Sequence, residues 1–162
     1  MPTADFNELL KVLKCEVPSR PVLFEFFMNG DLYQRLAGVN GDWPADPFDS
    51  YSLIIKAFAS AGYDYTNAMI GFEFPKEDRH SESTVSLNEG QVITDWKSFE
   101  AYKWPEPSST DYSLLGRLAP ELPDGMKLMQ SGPGGVLENL IGLIGFDNLC
   151  IMLYEEPELV QA

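Results

Sequence analysis

Two carboxylates stand in settings where a carboxylate is costly. Glu25 interrupts the apolar run PVLFEFF (21–27), and Glu73 interrupts YTNAMIGFEF (65–74), which Pro75 then stops. A carboxyl enclosed in an apolar strand is disfavoured in its charged form, so its pKa rises and it becomes a neutral acid able to donate or relay a proton. Both are candidate acid–base groups, the alternative being strand-end carboxylates that reach water or a backbone amide. Just after the first run, Asn29 and Tyr33 offer amide and phenol hydrogen bonds beside Phe26, Phe27 and Met28, the makings of an apolar pocket with a few polar contacts. The loop SGPGG (131–135) sets three glycines ahead of an apolar helical pattern, and free amides at that helix start can hold an anion. It lacks both GxGxxG spacing and a Lys-Ser/Thr pair, so a tight strand-to-helix turn is the simpler account.

Other chemistries find no support. His80 is the only histidine, set in KEDRHSES (76–83) far from Cys15 and Cys150, so zinc ligation within this chain is not expected. Nor does it face a nucleophile in a recognisable elbow. The two cysteines read as reduced and structural. Glu77, Asp78 and Glu82 read as solvated surface, and Trp43, Trp96 and Trp104 as caps on the core. The 25 acidic against 11 basic residues give a net charge of −14, which repels nucleic acid and anionic membrane surfaces alike. No apolar run approaches the ~20 residues of a membrane span, and no secretory leader pattern opens the chain, so a soluble, cytoplasmic protein is expected.

The elements that must carry these residues follow from periodicity. With 162 residues, 44% hydrophobic, the chain has apolar material for one globular domain, 1–162. Phe6, Leu9, Leu10 and Leu13 predict a helix over 3–14 behind a Thr3 or Asp5 cap. A short helix is expected at 32–37. Asp46 as cap and Pro47 in the first turn predict another over 48–61, closed by Gly62. Core strands are expected at 21–27, 65–74 and 126–130, parallel and adjacent in that order. A surface hairpin is expected at about 80–94, turning at Asn88-Glu89-Gly90. Further helices are expected at 95–102, 111–118, 136–144 and 147–154. A last helix starts near Pro157 and looks cut short at Ala162. Strands alternating with helices indicate an α/β fold with a parallel sheet.

The order of these motifs resembles the uroporphyrinogen decarboxylase family, which includes corrinoid-dependent methyltransferases. The resemblance rests on SRPVLFEFF, GYDYTNAMIGFEF, ITDWKSFEAYKWPEP and MKLMQSGPGGVLENLIGLIGFDNLCIMLYEEPELV. It implies a TIM (β/α)8 barrel present as its N-terminal half, with the site at the carboxyl ends of the strands. It implies Glu73 as the catalytic carboxylate, in place of the family's aspartate. Glu25, Met28, Asn29, Tyr33 and the loop residues Gly132, Pro133 and Gly134 are the implied substrate contacts.

Decarboxylases of the family carry arginines after the first strand, where this chain reads Phe26-Phe27-Met28-Asn29-Gly30-Asp31. That departure disfavours a polycarboxylate substrate. The resemblance then implies methyl transfer between a corrinoid protein and a thiol, with zinc held by residues of a second half. Tetrapyrrole decarboxylation and a non-catalytic, partner-binding half barrel are the alternatives. The expected partners are a small substrate, a missing C-terminal half or a second copy as homodimer, and a corrinoid protein. This chain by itself is expected to be inert, with no cofactor of its own.

Overall fold

The computed structural model describes residues 3–76, 86–132 and 134–162. In chain order it contains α1 (Phe6–Leu13), α2 (Gly30–Ala37), α3 (Pro47–Ala61), β1 (Tyr65–Ala68), α4 (Trp96–Ala101), α5 (Ser113–Leu118), β2 (Lys127–Gln130), α6 (Val136–Ile144), α7 (Phe146–Glu155) and α8 (Pro157–Gln161). These fall into two compact units. The first comprises residues up to Ile70 together with Asp111–Ser131, and the second comprises Gly71–Thr110 with Gly132–Ala162.

In the first unit the helix boundaries follow local chemistry. The Asp5 carboxylate accepts from the Asn7 amide to start α1, and Asp46 accepts from Phe48 and Asp49 to start α3, with Pro47 in the first turn. Gly62, at φ 86°, ends α3 in the left-handed conformation that glycine adopts without penalty. The chain then enters β1, which pairs in parallel with β2 in the register Tyr65 to Lys127 through Ala68 to Gln130. Leu9, Leu53, Phe58, Tyr65 and Met126 close the core between helices and strands.

A half barrel is not what forms. Among the described residues there is one sheet, of two strands. The expected first strand, 21–27, lies outside any ladder and bends at Phe26, and Leu23, Phe24, Phe26 and Phe27 are all exposed. Its amides and carbonyls are met by side chains instead: the Tyr65 hydroxyl accepts from the Glu25 amide at 2.6 Å and donates to the Glu25 carbonyl, and Asn67 Nδ2 donates to the carbonyls of Glu25 and Phe26. The second strand stops at Ala68, whose carbonyl accepts the Ser131 amide at 2.9 Å, and the Met69 amide donates to the Tyr51 hydroxyl at 3.1 Å. Residues 69–74 therefore leave the ladder.

The second unit is helical. Ile93, Leu143, Ile144, Leu149, Met152 and Leu159 form its core. The expected hairpin does not appear in its described part, 86–94, while 80–85 lie outside the described residues. Residues 91–93 run as an extended arm whose Val92 and Ile93 amides both donate to the Leu143 carbonyl, and a helix C-terminus thus replaces a partner strand. Asn88 completes the attachment. Its Oδ1 accepts from the Asp147 amide and its Nδ2 donates to the Asp147 carboxylate, covering the first turn of α7. No single helix among the described residues is long and apolar enough to cross a membrane.

Candidate functional site

Segment 21–29 contributes to two cavities of the first unit, and Phe27 lines both. The first cavity, about 440 Å3, is lined by Glu25, Met28, Asn29, Leu32, Leu36 and Tyr63 among others. Three of the expected substrate contacts therefore share one wall. Asn29 has a structural duty as well: its Oδ1 accepts from the Leu32 amide at 2.8 Å and caps α2. Met28 is half-buried against the core, and Glu25 is exposed, its Oε1 accepting from the Phe26 amide at 2.9 Å. The enclosure expected around the Glu25 carboxyl is absent, since its segment has no neighbouring strand to cover it.

Tyr33 lies in the second cavity, about 540 Å3, with Phe26, Trp43, Tyr51, Asn67 and Met69. Its ring is buried, tilted 51° to Trp43 and 32° to Phe58, each at 6.0 Å between centroids. The hydroxyl accepts from the Met28 amide at 2.8 Å. Burial pushes the phenol pKa upward, so the group keeps its proton at neutral pH. Tyr63 and Tyr65 are shifted up for the same reason.

Glu73, Gly132 and Gly134 belong to other surroundings. Glu73 is exposed, in the irregular stretch that follows β1, and the burial that would make it a neutral acid is not there. Gly132 and Gly134 are exposed ahead of α6, and Pro133 lies outside the described residues, as do His80, Glu77, Asp78 and Glu82. The helix start they precede carries a carboxylate of its own: Glu138, in the first turn of α6, folds back so closely that a Cβ at Gly135 would collide with it. A negative side chain at that position already complements the helix dipole.

The most enclosed charge in the first unit was unmarked in the sequence. Asp64, 1% exposed, receives two guanidinium hydrogen bonds from Arg20, at 2.5 and 3.1 Å, and the Asp5 amide at 2.8 Å. This is a structural clamp joining the segment before 21–27 to the entry of β1. Beside it the Glu8 carboxylate is held at a pKa of about 2 by Lys11 and by the Ser19 amide. Neither pair lines either of the two cavities described above. Trp43, Tyr51 and Asn67 were also missed as lining residues. The one signal for them is that Tyr51 sits on the apolar stripe of α3 while carrying a polar tip.

No three His, Cys, Asp or Glu side chains converge among the described residues, and Cys15 and Cys150 are both exposed and unpaired. The zinc that the resemblance implies would be held by residues of a second half, and no chemistry of this chain is routed through it. Compared with family models, curated proteins and solved structures, the chain matches none.

Proposed function

We propose that the first cavity binds a small thiol, and that the chain takes part in methyl transfer to it from a corrinoid protein, in line with the family its motifs resemble. The observation that carries this choice is the lining of the two cavities, which contains no lysine or arginine. A porphyrinogen brings several carboxylates, and each would be desolvated without a cation, at a cost of several kcal/mol apiece. Leu23, Met28 and Leu36 offer an apolar seat for a thioether-forming sulfur. In the transfer the thiol sulfur forms the new bond to the methyl carbon, the electron pair of the broken bond stays with the corrinoid, and the thiol proton must leave. Glu25 is the carboxylate at this cavity that can take it. Glu73 keeps its assignment by motif position only.

The test is incubation of the chain with methylcobalamin and 2-mercaptoethanol, following S-methylation by mass spectrometry, beside an assay with uroporphyrinogen. Thiol methylation lost in Glu25→Gln supports the reading, and carboxylate loss from uroporphyrinogen overturns it. Thiol binding without turnover would favour the partner-binding alternative. That alternative draws on the exposed Leu23, Phe24, Phe26 and Phe27, which a second copy or another polypeptide would cover.

A further inference from the structure

We propose that the second cavity of the first unit is a binding site for a neutral, planar aromatic molecule carrying an acceptor oxygen. The inference does not rest on methyl transfer: it concerns the other cavity and is read by binding alone.

The walls supply the first half of the argument. Phe26, Phe27, Tyr33, Trp43 and Tyr51 all line this space, and no Asp, Glu, Lys or Arg does. An ion entering it would lose hydration without finding a counter-charge, whereas a flat ring gains edge and face contacts. At about 540 Å3 the volume suits a small ring compound with substituents. Phe26 and Phe27 stay 58% and 68% exposed, so a bound ring would also remove apolar surface from water.

The polar groups supply the second half, and each is fixed in one sense. The Tyr33 oxygen already accepts from the Met28 amide, and the Tyr51 oxygen from the Met69 amide, so each phenol has its acceptor side engaged by backbone. Neither O–H donates to an acceptor among the described residues. Asn67 is held in the opposite sense, its Nδ2 shared between the carbonyls of Glu25 and Phe26, which leaves Oδ1 as an acceptor. A cavity with two held hydroxyl donors selects a ligand with an oxygen acceptor, because a hydrocarbon would leave them unmatched. Burial raises the Tyr33 pKa and so keeps that donor protonated.

Fluorine NMR on the full chain tests this with three probes of similar size: 4-fluoroacetophenone, 1-ethyl-4-fluorobenzene and 4-fluorobenzoate. The ketone is expected to bind roughly tenfold more tightly than the hydrocarbon, and the carboxylate more weakly than either. Tyr51→Phe should close the gap between ketone and hydrocarbon while leaving hydrocarbon affinity unchanged, and Trp43→Ala should weaken both. Equal affinity for ketone and hydrocarbon, preference for benzoate, or no binding of the ketone at millimolar concentration would overturn the assignment. Should either variant fail to fold, the ranking of the three probes on the unmodified chain decides.

Discussion

The two units solve the same problem, holding an extended segment against a core, by different means. In the first, β1 and β2 form a backbone ladder on one side, and 21–27 is gripped on the other by Tyr65 and Asn67. In the second, the arm at 91–93 is held by the Leu143 carbonyl and by α7, where Asn148 donates to the Gln91 side chain and Asn88, just before the arm, bonds Asp147. The first unit encloses a charged pair, Arg20 with Asp64, whereas among the described residues of the second the buried side chains are apolar. An unladdered segment thus needs either side chains long enough to reach its backbone or a helix end with spare carbonyls, and each unit uses what its neighbours offer.

The largest expected effect separates the two cores. Phe58, fully buried amid Tyr33, Tyr63 and Tyr65, should cost about 3–5 kcal/mol when truncated to alanine. Urea unfolding followed by Trp43 fluorescence, with Trp96 and Trp104 replaced by Phe, measures it in the unit concerned. Next comes the clamp. Arg20→Met strands the Asp64 carboxylate and should destabilise by about 3 kcal/mol, while adding Asp64→Leu should restore most of the loss. Full recovery by the double variant would mean that the pair contributes nothing net; no loss in the single variant would mean that Asp64 is not enclosed.

A pair of glycines sharpens the comparison further. Gly125 and Gly38 both have positive φ, 80° and 68°, but a Cβ at Gly125 would come within 1.9 Å of the Ala4 carbonyl oxygen, whereas Gly38 faces open space. Gly38→Ala should cost about 1 kcal/mol, and Gly125→Ala about 2 kcal/mol or more, because the start of α1 must move. In the second unit, Asn88→Ala removes the contacts to Asp147 and should cost about 1 kcal/mol. The smallest effect is a pH dependence. Because Lys11 and the Ser19 amide hold Glu8 at about 2 when folded, its contribution is complete above the ordinary carboxylate range and disappears as pH falls from about 4.5 towards 2. Thermal denaturation across that range should be steeper for the unmodified chain than for Glu8→Gln.

What the sequence made legible was local. Asp46, Pro47 and Gly62 bound α3 as their chemistry requires, Asp95 caps α4, and the apolar stretch at 136–144 is α6. The strand at 126–130 is β2 within one residue, and it runs parallel to β1. What failed was long-range. The apolar run 21–27 satisfies a strand pattern, but pattern cannot supply a partner, and its backbone is met by residues some forty positions away. Glu73 looked enclosed because its neighbours are apolar, yet the ladder had already ended at Ala68. The Arg20–Asp64 pair spans 44 positions, a separation at which no periodicity marks a contact.

The grip of Tyr65 and Asn67 has a consequence for how this region can vary. Side chains two apart on a strand point to the same side, and those between them point away. Thr66, buried with its hydroxyl unpartnered, and Ala68 occupy the alternate positions. A substitution along 65–68 changes one buried side chain, but deleting or inserting a single residue there would swap the two sets. The hydroxyl and amide that hold 21–27 would turn from it together, and the walls of both cavities would detach in one step.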